Sequence, residues 1–310
     1  MNYPAPLDPK VEEKQVRTDE YSRAGNSYFF TESGMVIQKA GNRYLIEFES
    51  LGEETVIKSS TGRNSDLDRY VLDAEYYRLL EEGISLSHFS TFSDGDKAYV
   101  LTGPPNTGKT GVNLALNLRG YRFIADEDAP VNSDVEALPL PMPLSVGNRN
   151  MEEFQDLLDD LGADYSSFRA SAFRSLRKLP VPLVGKALDR LVEPVKVDPR
   201  ELNFEEDKRE IKTAFYIQPE NREDIEMEEM EKDEFVRKMS IWNSIQRSGF
   251  EKIYSIWRTE NDNLNENIEE SEQKDREILE SCFDEVEVKK LRVPLERQPR
   301  KIAEFIEGEL

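Results

Sequence analysis

Residues 99–131 read YVLTGPPNTGKTGVNLALNLRGYRFIADEDAPV, and the fold is best approached from there. Gly103, Gly108, Lys109 and Thr110 stand in the G-x-x-x-x-G-K-T spacing of a phosphate-binding loop. The apolar run Ala98–Leu101 predicts a strand leading in, and Lys109–Leu118 predicts a helix leading out, which is the context that spacing requires. Glycines permit a tight turn, so successive N–H groups face phosphate oxygens at a helix N-terminus. Gly103, Pro104, Pro105, Asn106, Thr107, Gly108, Lys109 and Thr110 are therefore the candidate nucleotide-binding residues. Lys109 would reach the β- and γ-phosphates of ATP, and the Thr110 hydroxyl would hold Mg²⁺. The bland alternative is a strand–turn–helix with an accidental Gly-Lys-Thr.

Gly120 is placed to cap that helix, and Tyr121–Ala125 predicts a short buried strand ending in Asp126-Glu127-Asp128. Carboxylates at the C-terminal end of a strand beside a phosphate loop can hold Mg²⁺ or accept a proton. Asp126 follows Lys109 by only 17 residues, so loop, helix and acidic strand make one short unit. A solvated turn in an acidic protein is the competing reading of 126–128.

Arg119-Gly120-Tyr121-Arg122-Phe123-Ile124-Ala125-Asp126-Glu127, together with His88-Phe89-Ser90-Thr91-Phe92-Ser93-Asp94-Gly95 upstream, resembles the HPr kinase/phosphorylase family and its phosphoenolpyruvate carboxykinase-related core. The resemblance implies an α/β fold: an HPr kinase-like core sheet with a phosphate loop, flanked by helices, over about residues 84–310. It is carried more weakly by 137–144 as a Pro-rich strand, by Ile211–Ile217 as a core strand, and by Val286–Val293 with Lys301–Ile306 as a terminal strand and helix. It implies transfer of the ATP γ-phosphoryl group to a hydroxyl, on a protein serine or a small molecule. Asp126 is then the base, Lys109 the phosphate-bridging cation, and His88, the single histidine, a positioning residue. Thr110 and Glu127 would hold Mg²⁺, with Asp126 as the other candidate ligand; the split between Asp126 and Glu127 rests on the resemblance, and its reverse stays open. Pro105-Asn106 departs from the family loop, and Pro105 removes one N–H donor. Glu127 stands where the family has a second Asp, and no Glu-x-Arg-Gly segment follows, which argues against HPr itself as the acceptor. A nucleotide-hydrolysing switch and a non-catalytic ATP-binding protein are the other classes these motifs allow.

The rest of the chain sets the surroundings. Its 310 residues fit one large or two modest domains. There are 63 acidic and 41 basic residues, a net charge of −22. A dense carboxylate surface of this kind suits high salt, as in halophilic archaea, and argues against a nucleic-acid partner, which needs a basic footprint. The single Cys282 excludes a disulfide framework and a thiolate metal site. No apolar run approaches 18 residues and the first residues hold no apolar leader, so no membrane partner and a cytoplasmic location are expected.

Residues 1–24 read as a loose arm, and 25–83 as a small unit of antiparallel β meander (27–57) followed by a helix (67–80) capped by Ser65 or Asp66. That unit carries no evident chemistry. Helical patterns follow at 151–161, 165–176, 184–191, 233–248 and 264–282, and Trp242, Ile245 and Phe250 suggest an apolar seam. Residues 168–200 hold eight basic residues against three acids. Arg174 and Arg177 are its best candidates for meeting ATP phosphates or an anionic acceptor; bases offsetting acidic neighbours are the alternative.

Overall fold

The computed structural model describes residues 4–16, 22–24, 27–146, 153–154, 157–158, 195–261, 265–296 and 298–310. Strands β1 (Lys10–Glu13), β2 (Ser22–Ala24), β3 (Tyr28–Phe30), β4 (Gly34–Lys39), β5 (Asn42–Glu47) and β6 (Val56–Ser59) form one six-stranded sheet, ordered β1-β6-β5-β4-β3-β2. Strands β3 to β6 are the antiparallel meander expected from the alternating apolar residues, and β2, within the expected arm, adds to its β3 edge. Part of the segment expected to be a loose arm belongs to this sheet. Strand β1 pairs in parallel with β6, and Leu7, Val11 and Val16 are buried. Val11 alone among charges gives no periodic signal; the partner edge of β6 supplies the order.

Helix α1 (Ser65–Glu81) starts one residue earlier than the expected caps imply. Asn64 is the cap, its side chain accepting from the Asp66 and Leu67 amides. Val71, Ala74, Tyr77 and Leu80 are buried as the pattern predicts, but so are Asp73, Glu75 and Tyr76. Helix α1 is thus an interior helix, covered on several sides.

The larger sheet follows. Its strands are β7 (Ile84–Ser87), β8 (Ser90–Ser93), β9 (Ala98–Thr102), β10 (Arg122–Asp126), β11 (Ala129–Asn132) and β12 (Glu136–Ala137), then β15 (Arg209–Glu220), β16 (Glu226–Glu229) and β17 (Glu287–Pro294); β13 (Leu144–Val146) and β14 (Val195–Val197) pair separately. Strand β15 runs parallel to β9 on one side and to β17 on the other. Strand β8 lies between β9 and β10 and is antiparallel to both, so β9, β10, β15 and β17 all point the same way. The C-terminal ends of β9 and β10 therefore reach the same edge. The Pro-rich strand expected over 137–144 is only partly a strand: residues 138–143 run without regular structure, because Pro139, Pro141 and Pro143 have no N–H for a ladder.

Side-chain alternation along these strands builds a core on each face. Val100, Ala214 and Val288 face one cluster with α1, α3 (Lys232–Arg258) and α5 (Ser271–Phe283), which a short α4 (Glu266–Glu269) precedes. Leu101, Phe215 and Leu291 face the other, with α2 (Lys109–Leu118) and α6 (Pro299–Glu309). The result is a mixed α/β fold. Val112 and Leu116 of α2 are fully buried, each stabilising the helix against the sheet by roughly 1.5–3 kcal/mol.

Helix α3 runs ten residues past the expected end at Ser248. Gly249 costs a helix about 1 kcal/mol, but Phe250, Ile253, Tyr254 and Trp257 are buried beyond it and outweigh that. Ile245 is not part of the seam: it is exposed, on the opposite side of α3 from Phe250. The helix expected over 264–282 is α4 and α5, broken at Glu270. Apart from residues 153–154 and 157–158, the expected helices of 151–191 lie outside the described residues, as do Arg174 and Arg177. No helix among the described residues is long and apolar enough to cross a membrane.

Candidate active site

The loop between β9 and α2 takes its shape from glycine. Gly103 has φ of 145°, and a Cβ there would stand 2.4 Å from the Ile217 carbonyl oxygen of β15. Gly108 at φ 98° and Asn106 at φ 65° complete the turn; both residue types tolerate the left-handed region. Helix α2 begins at Lys109 with no side-chain cap, so its first-turn amides face the loop's concavity without intrahelical partners.

Lys109 is buried, and its Nζ donates to the Gly103 carbonyl at 3.2 Å and to His88 Nε2 at 3.0 Å. Burial lowers the Lys109 pKa to about 8, against the pull of Asp126 and Glu127. His88 lies in the link between β7 and β8. Its backbone N–H donates to Asn243 Oδ1 of α3 at 3.0 Å, and its carbonyl accepts from Thr102 Oγ1. Burial first, then the Lys109 charge, lowers the His88 pKa to about 4. A neutral ring accepting from Lys109 at Nε2 carries its proton on Nδ1. The expectation of His88 beside the loop thus corresponds to a direct contact with Lys109.

The acidic turn meets the loop from the neighbouring strand end. Thr110 Oγ1 donates to Asp126 Oδ2 at 2.6 Å, while Asp126 Oδ1 is buried without a partner. Burial raises the Asp126 pKa. Glu127 has φ of 66°, left-handed backbone that a glutamate adopts only at a cost. Water reaches its side chain, but from within a cleft, and the desolvation there, with Asp126 and Asp128 alongside, raises its pKa to about 7.

Asp128 holds this strained turn in place. It is buried, and accepts from Arg69 of α1 at 3.1 Å and from Gln246 Nε2 of α3 at 2.9 Å. Arg247 stands 3.6 Å from it, bonds the Leu86 carbonyl, and stacks on the Tyr76 ring. Arg69 also bonds Asp73 and the Gln246 carbonyl. Helix α1, part of the unit in which the sequence betrays no chemistry, therefore anchors the acidic turn. Arg69, Gln246 and Arg247 lie 59, 118 and 119 residues from Asp128, and no local pattern marks them.

A cleft of about 420 Å³ opens on the far side of the turn. Asp126, Glu127 and Asp128 line it together with Arg63 just before α1, Asp68, Arg69 and Leu72 of α1, residues 142–145, and Lys196 of β14. Its volume falls in the range of small-molecule sites, about 300–1,000 Å³. Arg119 and Arg122, which flank the glycine of the family-like stretch, point elsewhere and pair with Glu307 and Glu205.

The donor set suits Mg²⁺. Among the described residues no three His, Cys, Asp or Glu side chains group to hold a metal by themselves. Mg²⁺ is ordinarily held by one or two carboxylates together with substrate phosphates and water, and the orphaned Asp126 Oδ1 beside the Thr110 hydroxyl fits that pattern.

No family model matches this chain, and no curated protein matches it. Among solved structures it is similar to the Hpr(Ser) kinase/phosphatase from Coxiella burnetii, at 10% sequence identity over 73% of this chain and 95% of that chain, with a TM-score of 0.26. At that distance, residue roles rest on this chain's own geometry.

Proposed function

We propose that the protein is an ATP-dependent phosphotransferase that moves the γ-phosphoryl group to a hydroxyl. The observation that carries this reading is the Thr110–Asp126 contact, which joins the phosphate-type loop to an acidic turn that also lines a cleft of substrate size. A hydrolase needs room only for water; a cleft beyond the acids favours an acceptor.

The first-turn amides of α2 and the loop amides bind the β-phosphate, and Lys109 shifts from His88 to the γ-phosphate when nucleotide arrives. His88 keeps Lys109 aimed into the loop until then. Thr110 and Asp126 would hold Mg²⁺, which would supply positive charge against the negative charge of the phosphates. Glu127, presented to the cleft by its left-handed backbone, takes the acceptor proton. This reverses the split of roles that the family resemblance implies, because Asp126 is already engaged by Thr110. The acceptor oxygen bonds to the γ-phosphorus as the bond to the bridging oxygen breaks. The electron pair stays on ADP, and the proton passes from Glu127 to solvent.

Transfer of label from γ-labelled ATP, with Mg²⁺ titrated, tests the reading. Glu127→Gln is expected to lose about 10²–10⁴ in kcat with ATP affinity kept, while Asp126→Asn shifts the Mg²⁺ requirement upward. Lys109→Ala is expected to weaken ATP binding by roughly tenfold or more, the worth of a charge-assisted bond. Equal ATP affinity in wild type and Lys109→Ala would refute it.

A further inference from the structure

The cleft beside the acidic turn is lined by two kinds of charge that lie along a path in the chain. The Leu140 amide bonds the Ile124 carbonyl, two residues before Asp126. From there the chain leads away past Met142, whose sulfur accepts from Arg63, to Ser145, whose hydroxyl accepts from Lys196 Nζ at 2.6 Å. The carboxylates thus stand where the wall begins, and Arg63 and Lys196 border it further on.

The two cations are not equivalent. Arg63 is engaged by Asp68 at 2.8 Å. Lys196 is exposed, its recorded partner is the neutral Ser145 hydroxyl, and among the described residues it has no carboxylate within ion-pair distance. In a protein of charge −22, where most described bases have acidic partners, a lysine directed at a neutral hydroxyl on a cleft wall is available to a ligand anion. It is also close enough to Glu127 for its charge to oppose the rise in that residue's pKa. Lys196 belongs to the basic segment 168–200, which holds eight basic residues against three acids.

Leu72 on one side and Leu140, Met142, Pro143 and Leu144 on the other give the cleft apolar walls that suit a short carbon skeleton.

We infer that the cleft takes a small acceptor bearing both a hydroxyl and an anionic group, a hydroxy-carboxylate or hydroxy-phosphate, with the hydroxyl toward Asp126 and Glu127 and the anion toward Lys196. The inference rests on the phosphotransfer reading. The hydroxyl becomes a phosphomonoester, ATP becomes ADP, and the hydroxyl proton leaves through Glu127 to solvent.

The test presents wild type, Lys196→Glu and Lys196→Arg with Mg-ATP and four probes: D-glycerate, L-serine, glycerol 3-phosphate and glycerol. Dephosphorylated casein is a fifth arm, product is read by phosphorus NMR, and ATP binding is read separately by calorimetry. At least one of the three probes that bear an anionic group, serine also carrying an ammonium, is expected to be phosphorylated with kcat/KM tenfold or more above glycerol. Glycerate or serine as the best acceptor assigns a carboxylate, and glycerol 3-phosphate a phosphate. Lys196→Glu is expected to raise KM for that probe at least tenfold, and Lys196→Arg to restore it. Glycerol equal to the anionic probes, transfer to casein alone, no transfer to any anionic probe, or an unchanged KM in Lys196→Glu each overturn the inference, while transfer to glycerol or casein keeps the phosphotransfer reading standing. Absence of ATP binding overturns both.

Discussion

Asp128→Asn is the most direct probe of how the acidic turn is held. The substitution keeps shape and removes one charge from a side chain that is 4% exposed and accepts from Arg69 and Gln246, with Arg247 at 3.6 Å. Breaking a buried pair by neutralising one partner costs about 3–5 kcal/mol. Two features place this case at the lower end. Arg69 is about one-third exposed and keeps Asp73, and Arg247, though buried, keeps the Leu86 carbonyl. A loss of about 3 kcal/mol lowers the melting temperature of a chain this size by roughly 4–6 °C. The larger effect is expected on phosphoryl transfer. Glu127 holds its left-handed conformation between Asp126, bonded to Thr110, and Asp128, and releasing one end lets the carboxylate drift. A displacement of about 1 Å costs on the order of 10²-fold in rate. Melting is followed by circular dichroism, and transfer with an acceptor identified by labelling. A double-mutant cycle with Arg69→Met is expected to give a coupling of at least 1 kcal/mol. An Asp128→Asn protein that melts within 1–2 °C of wild type and transfers phosphate at the wild-type rate would refute the reasoning.

Three further outcomes are expected. His88 is the single histidine, so its ring protons are assignable by inspection, and their NMR titration should centre near 4 instead of 6.5. A folded-state pKa below the unfolded one means that stability from this group is complete above about pH 6.5 and falls as pH drops toward 4, by roughly 3 kcal/mol at most; the fall should be absent from His88→Gln melts compared with wild type over that window. Burial raises the Cys282 thiol to about 12 and encloses it, so native protein should react with a thiol reagent far more slowly than protein in urea, and equal rates would contradict the packing of α5. Finally, the −22 charge repels itself in dilute buffer, and the Debye length shrinks from about 10 Å at 0.1 M salt to about 3 Å at 1 M. The melting temperature should rise with KCl, and a flat or falling curve would locate the acidic residues where they do not oppose folding.

The legible parts of the molecule are those whose causes are local. Gly103, Gly108, Lys109 and Thr110 lie within eight residues, and their spacing is enough to place a loop between β9 and α2. The meander of β3 to β6 was readable from alternation and β10 from a short apolar run, whereas β15 and β17 were expected only through the family resemblance. What the sequence concealed depends on partners far along the chain. Arg69 reads as one half of an ordinary i,i+4 pair with Asp73, and nothing local says that it reaches Asp128. Strand β1 needed the edge of β6, and the second half of α3 needed the apolar surface under Trp257 to outweigh Gly249. The insertion of β8 between β9 and β10 is a matter of topology, invisible to spacing. The cleft combines residues 63–72, the acidic turn 126–128, residues 140–145 and Lys196, four separated segments that no local pattern relates.

Glu127 has a consequence for how the protein can change. Its backbone, at φ 66°, suits glycine or asparagine, and a glutamate there forfeits roughly 1–2 kcal/mol. Selection for heat resistance alone would favour replacing it, since the substitution removes strain and touches no core residue. The same replacement deletes the carboxylate aimed at the cleft. Evolution toward stability and evolution toward turnover thus pull in opposite directions at this one codon, and a lineage that stopped needing the reaction would be expected to lose Glu127 before it lost Lys109, whose buried contacts also serve the fold.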